Sequence, residues 1–179
     1  MSKAPLDPIT RYLLDRLEIQ DVIALYASGQ DDHQGHGPGL LDDWDRVFTS
    51  DAIVDYTQAG PPFGVCSHRE LAQVMRGGGS APGVMNGAFV AWQHMLGLPR
   101  VTINGDNAVA RTDLFATHVG RAGAGTRWHL FDAAVFHDRL LRTEAGWRIA
   151  HRRLLVHYVE VVLTEPTDRV PALIGGVAA

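Results

Sequence analysis

RWHLFDAAVFHDRLLR at 127–142, TEAG at 143–146 and WRIAHRRLLVHYVEVVL at 147–163 form the stretch on which the fold turns. Both long runs are rich in Val, Leu, Phe and Tyr, residues that suit a pleated, half-buried surface. The short link between them ends in glycine and is a hairpin loop in length, far too short for a crossover. The stretch therefore predicts two long antiparallel strands. Working back towards the N-terminus, Ala122-Gly123-Ala124-Gly125 reads as a turn and Ala108–Gly120 as the strand before it. Asn104-Gly105 is a strong hairpin signal after a short strand at Arg100–Asn104, and Ala88–Gly97 is β-prone as well.

The first half of the chain has helical punctuation instead. Asp7-Pro8 supplies an N-cap and a first-turn proline, and Leu13, Leu17, Val22, Leu25 and Tyr26 fall on one stripe running to about Ser28. Gln30–Gly39 reads as a loop. Leu40, Leu41, Trp44, Val47 and Phe48 mark a second helix, closed by Ser50-Asp51, and Ala52–Thr57 a short strand that ends at Gly60-Pro61-Pro62. Ser67 and Glu70 are spaced as a capping box for a third helix, with Leu71, Val74 and Met75 behind it and Gly77-Gly78-Gly79 as its stop. Helices first and a meandering, strongly twisted sheet afterwards make an α+β fold, with three N-terminal helices on the concave face enclosing a pocket. One domain is expected over residues 1–165, with a tail at 166–179.

The chain has 179 residues, 46% of them hydrophobic, which suffices for one well-buried core. With 16 Lys+Arg against 20 Asp+Glu the net charge is −4, which argues against a nucleic-acid surface. The single cysteine, Cys66, excludes an internal disulfide framework and a cysteine-based zinc site and reads as an inert thiol. No run approaches the ~20 apolar residues of a membrane span, and the first residues lack a signal-peptide core, so a cytoplasmic protein is expected.

Nine histidines then pose the main question. His33 and His36 are an i, i+3 pair in a glycine-rich loop with no third ligand, and no H-E-x-x-H occurs, so no metal site is expected. They read as solvated loop residues, and His68 as part of a helix start. A G-x-S-x-G elbow is absent, and Gly77-Gly78-Gly79 lacks P-loop or Rossmann spacing. What remains is acid–base chemistry. Tyr26 lies on the apolar side of the first helix, which leads into Asp31-Asp32. His94 sits in the apolar run Ala91–Leu96, where an imidazole needs a polar partner. His118 shares a strand face with Leu114 and Ala116, His129 and His137 one with Phe131 and Val135, and His151 and His157 one with Ile149 and Leu155. Parity alone does not say which of these faces looks inward.

Leu25-Tyr26, Asp43-Trp44-Asp45, Phe48-Thr49-Ser50-Asp51-Ala52 and Gly146-Trp147-Arg148-Ile149, in that order, resemble the SnoaL-like branch of the nuclear transport factor 2-like superfamily over residues 9 to 163. The resemblance implies a cone-shaped α+β barrel of a strongly curved mixed or antiparallel sheet, with a deep apolar cavity. It also implies enzymes that often work without cofactor, through an Asp–His pair and tyrosines. Gln93-His94-Met95-Leu96-Gly97 resembles the Gln-His-x-x-Gly segment of scytalone dehydratases, placing His94 at a catalytic histidine. His118 falls at a second pocket histidine, Asp55-Tyr56 at an Asp-Tyr pair whose tyrosine contacts substrate, and Asp31 or Asp32 at the aspartate that orients a histidine. Two departures stand out: no tyrosine precedes that aspartate, a role Tyr26 would take, and an asparagine of a later strand has no clear counterpart.

The resemblance thus implies a cofactor-independent dehydratase, isomerase or cyclase for a small apolar cyclic carbonyl compound, polyketide- or steroid-like. His94, Asp31 and Tyr26 are the expected catalytic residues, and Tyr56, His118, Asp32, Trp92 and Phe115 the expected substrate contacts. The rival is a non-catalytic ligand carrier or oligomeric scaffold subunit of the same fold; its mark would be polar groups pointing to solvent, or a cavity filled by Trp92 and Phe115. A homodimer or homotrimer is expected, with Val159, Val161 and Leu163 at the contact.

Overall fold

Asp7 accepts the backbone N–H groups of Ile9 and Thr10, both at 3.0 Å, and so starts α1 (Pro8–Asp32). The computed structural model describes residues 6–34, 39–78, 81–121 and 127–164; His36, the Ala122–Gly125 turn and the tail from Pro166 lie outside them. The buried face of α1 carries Ile19, Val22, Ile23 and Tyr26, whereas Leu13 and Leu17 are 54% and 55% exposed. The expected stripe therefore holds only from Val22 onward. Earlier in the helix the inward residue is Asp15, held by Arg142 at 2.5 and 2.6 Å and by the Trp147 indole at 3.2 Å. α1 also runs one turn beyond Ser28, and this extension carries Asp31.

α2 (Gly39–Val47) buries Leu40, Trp44 and Val47 and passes directly into β1 (Phe48–Asp55). β1 starts earlier than expected because Phe48 already pairs with Ile149. β2 (Val65–Ser67) follows, and then α3 (His68–Arg76). Its capping box is complete: Ser67 Oγ accepts the Glu70 N–H, and the Ser67 N–H donates to Glu70 at 2.8 Å. Gly77, at φ +86°, ends this helix. A small ladder of β3 (Gly77–Gly78) and β4 (Ala81–Pro82) leads to α4 (Val84–Ala88), a fourth helix where three were expected.

β5 (Phe89–Leu96), β6 (Arg100–Asn104), β7 (Asn107–Gly120), β8 (Arg127–Thr143) and β9 (Gly146–Thr164) complete the main sheet. Its order is β2-β1-β9-β8-β7-β5, with β6 beside β5 along the same edge of β7. β1 lies parallel to β9 and all other pairs are antiparallel, so the α+β fold is built on a mixed sheet that curves without closing. Among the described residues no helix is long and apolar enough to cross a membrane.

Faces follow the period of two until bulges break it. Ala108, Ala110, Thr112, Leu114, Ala116 and His118 of β7 point inward, as do Ala134, Phe136, Asp138 and Leu140 of β8. In β9 an extra residue at Ala150 and another at His157 each shift the register by one. Ile149 is therefore buried inside, while His151, opposite Arg139, lies on the outer face, separating two residues that simple alternation puts together. After the second bulge Val159, Val161 and Leu163 lie opposite Asp132, Leu130 and Trp128, on the concave side of the sheet and not on its back.

Below the concave face, Arg152 and Asp138 form an ion pair with both side chains wholly buried, through two bonds of 2.8 and 2.7 Å. The guanidinium stacks 4.2 Å from the Tyr26 ring and 4.0 Å from Phe136. Removing one partner leaves an uncompensated buried charge. Asp138→Ala is expected to lower the unfolding free energy by about 3–5 kcal/mol in urea titration; a loss below ~1 kcal/mol would contradict this account of the pair.

Candidate active site

Among the described residues β5 ends the sheet, so the backbone groups on its free side have no strand partner there. The last turn of α1 and the residue after it supply one. Gln34 accepts the Trp92 N–H at 3.3 Å and donates to the Trp92 carbonyl at 2.6 Å. Two residues along the same edge, Asp31 Oδ2 accepts the His94 N–H at 2.8 Å, and its Oδ1 lies 2.7 Å from His94 Nδ1. One carboxylate thus fixes both the backbone and the ring of His94. With Nδ1–H donated to Asp31, Nε2 is left as the free acceptor of the neutral imidazole.

The end of α1 is itself pinned. The Gln30 carbonyl accepts the Trp92 indole N–H and an Arg76 N–H, both at 2.8 Å, and Arg76 also donates to Gln30 Oε1 at 2.7 Å. The Arg76 guanidinium lies 4.5 Å over the Trp92 ring, and burial lowers its pKa to about 10.

His94 opens on a cavity of about 290 Å³ between the helices and the sheet. Its walls are mainly apolar, with Met75, Phe89, Leu114, Leu130, Phe136 and Leu154 among them. Its polar groups are few: His94, His118, Asp132, Gln30, Tyr26 and Tyr56. The two phenol oxygens lie 2.5 Å apart, and Gln30 Nε2 donates to the Tyr26 oxygen at 3.5 Å. Burial raises both phenol pKa values, that of Tyr56 well above the ordinary range, so both stay protonated. The His118 ring stands at right angles to that of His94, centroids 5.9 Å apart. Its Nδ1 is 3.7 Å from Asp132 Oδ2, too far for a hydrogen bond. Burial lowers the His118 pKa to about 4 and raises that of Asp132 to about 6.

Of the sequence-predicted site residues, Tyr26, Tyr56, His94 and His118 line this cavity, with Asp31 behind His94. The others do not meet there. Asp32, on the far side of the last turn of α1, is exposed. Trp92 is buried, but it braces the end of α1 and lies outside the cavity lining. Phe115 has the opposite parity on β7 and stacks on Phe131 at 6.2 Å on the outer face, which removes it as a substrate contact. His129 and His137 lie on that outer face too. His33 is not a solvated loop residue: its ring is 3.1 Å from Asp43 of α2. His68 is fully buried against Phe48 and bonded to Asp45 at 3.1 Å, a structural role. Asp132 escaped the sequence reading. The available signal was a carboxyl alternating with Leu130, Ala134 and Phe136 on an apolar strand face.

The two inner titrating groups pull stability in opposite directions with pH. His118 falls from the ordinary 6.5 to about 4, so its contribution is present above pH 6.5 and lost as pH falls towards 4. Asp132 rises from 3.8 to about 6, so its contribution is present below pH 3.8 and lost as pH rises towards 6. Asp132→Asn removes only the second. Compared with wild type, this variant should lose up to about 3 kcal/mol more stability between pH 6 and pH 4. Urea titrations across that range test this; parallel curves for the two proteins would contradict it.

A SnoaL-like domain is matched over residues 11–153. The uncharacterized Mycobacterium tuberculosis protein Rv2910c is 36% identical over 141 residues, spanning 77% of this chain and 82% of that one. Kfla4162 from Kribbella flavida superposes with a TM-score of 0.64 at 25% identity, over 83% of this chain and 95% of that chain. The fold is also shared with a type 2 hexachlorocyclohexane dehydrochlorinase, LinA (TM-score 0.67, 16% identity, 84% of this chain and 90% of that chain). A putative scytalone dehydratase from Novosphingobium aromaticivorans gives a TM-score of 0.64 at 15% identity, over 88% of this chain and 96% of that chain. With four-fifths of its length matched and this fold in hand, the chain belongs to the SnoaL-like domain family.

Proposed function

We propose that the protein is a cofactor-independent acid–base enzyme, a dehydratase, isomerase or cyclase, for a small apolar cyclic carbonyl compound. The observation that carries this reading is the 2.7 Å contact between Asp31 and His94, with the histidine facing a mainly apolar cavity. Trp92 and Phe115 do not fill that cavity, so the mark of a mere scaffold is missing. Two proteins of the same fold bear the names of a dehydrochlorinase and a putative dehydratase, both eliminating activities.

His94 Nε2 takes a proton α to the carbonyl. The C–H electron pair moves into the carbon–carbon bond, and the carbonyl π pair moves onto oxygen. Asp31 holds the ring in the required tautomer and stabilises the imidazolium that forms. With Gln30 donating to Tyr26 and Tyr26 donating to Tyr56, the Tyr56 hydroxyl is free to donate to the developing enolate. Reprotonation at another carbon gives isomerisation; loss of a β-hydroxyl gives dehydration.

α-Tetralone deuterated at its α carbon is a suitable probe, with loss of deuterium followed by NMR. Wild type should exchange it faster than buffer, with His94→Ala and Asp31→Asn lowering the rate about 10²–10⁴-fold and 10-fold or more, respectively. Wild-type exchange no faster than buffer, or unchanged rates in both variants, would contradict the assignment.

A further inference from the structure

We infer that Asp132 is a second catalytic carboxyl, the acid that protonates the oxygen leaving the substrate, acting across the cavity from His94. This rests on the proton-abstraction reading above and adds the group that completes an elimination. Strand register sets the two groups in one row. His94 lies opposite Ala116, Ala116 opposite Asp132, and Asp132 opposite Val159, a single row across β5, β7, β8 and β9. All four point to the concave side. His94 and Asp132 therefore stand two strand spacings apart, roughly 9–10 Å between backbones, with only the Ala116 methyl between them in the row. A carbon–carbon unit carrying a proton on one atom and a hydroxyl on the next would present one end to each.

The surroundings of Asp132 suit an acid. Among the described residues its carboxyl accepts no hydrogen bond, and the buried His118 Nδ1 lies 3.7 Å from it, beyond hydrogen-bond reach. From β7 it is faced by His118, from β5 by His94, and from β9 by Val159; Asp31 of α1 lies beyond His94. Among the described residues no lysine or arginine lines the cavity to hold it ionised. Burial accordingly keeps the proton on Asp132 to about pH 6, while a positive charge on His94 favours its release. The order of events follows. When His94 takes the α-proton, the new imidazolium makes Asp132 the stronger acid at the moment the leaving oxygen needs a proton.

For a β-hydroxy ketone the step balances. His94 takes the α-proton, and the C–H pair left on carbon becomes the new carbon–carbon double bond, directly or through the enolate. The β-carbon–oxygen bond breaks with its pair on oxygen, which takes the Asp132 proton and departs as water. His94 is left as imidazolium and Asp132 as carboxylate, and transfer of one proton from the first to the second, through solvent, restores both. An apolar cavity holding this carboxyl, with no fixed cation in its lining among the described residues, also selects an uncharged substrate over a carboxylic acid.

The test compares two reactions in one active site: deuterium loss from α-tetralone, which needs only the base, and dehydration of β-hydroxytetralone to the naphthol, which needs base and acid. Asp132→Asn should lower dehydration at least about 100-fold and lower it at least ~30-fold more than it lowers exchange. Wild-type dehydration should fall as pH rises above about 6, and the residual rate of the variant should lack that limb. Equal losses in both reactions, or no loss in either, overturn the inference. A wild type that exchanges deuterium yet eliminates no water also overturns it and leaves the proton-abstraction reading standing. A wild type that does neither overturns that reading, and this inference with it.

Discussion

The free edge of β5 is the constraint from which the site follows. An edge strand offers backbone donors and acceptors that must be satisfied or shielded, and here the last turn of α1 does so with Asp31 and Gln34. Because the carboxylate that binds the His94 N–H has a second oxygen, the same contact also orients the imidazole. Gln30 anchors this turn through Arg76 and Trp92, and Tyr26, one turn earlier on the helix, reaches Tyr56 inside the cavity. The seam that closes the fold and the contact that orients His94 are thus one set of hydrogen bonds.

Burial then sorts the remaining polar groups. The phenols of Tyr26 and Tyr56, the imidazole of His118 and the carboxyl of Asp132 are all driven towards their neutral forms, as an apolar cavity requires. Arg152 keeps its charge only because Asp138 meets it twice beneath the cavity floor. The result is a cavity whose phenols and His118 imidazole stay neutral and whose one carboxyl keeps its proton to about pH 6. That suits proton transfer on a neutral molecule.

Much of this was legible in the residues. Asn104-Gly105 and the glycine of the 143–146 loop mark hairpins because their positive φ angles, +59° at Gly105 and +97° at Gly146, are hard for other residues to adopt. His94 could be singled out because an imidazole in an apolar strand needs a partner. The rest depended on packing. α1 continues through Gly29-Gln30-Asp31-Asp32, a poor helical sequence, because Arg76, Trp92 and β5 bind its final turn. Leu13 and Leu17 look like core residues but lie exposed, since the inward place in that stretch goes to Asp15 and its partners Arg142 and Trp147. The bulges at Ala150 and His157 leave no mark in the alternation, and each flips every residue after it. Asp132 was masked by the histidines of its own strand, which lie on the other face.

The central claim is that Asp31 fixes the tautomer of His94, with the hydrogen on Nδ1 and Nε2 as the acceptor. Nitrogen-15 NMR of the imidazole at neutral pH reads this directly. The account predicts a protonated Nδ1 and a bare, acceptor-type Nε2 in wild type, and loss of that preference in Asp31→Asn. A His94 ring carrying its hydrogen on Nε2, or one with the same tautomer in both proteins, would contradict it.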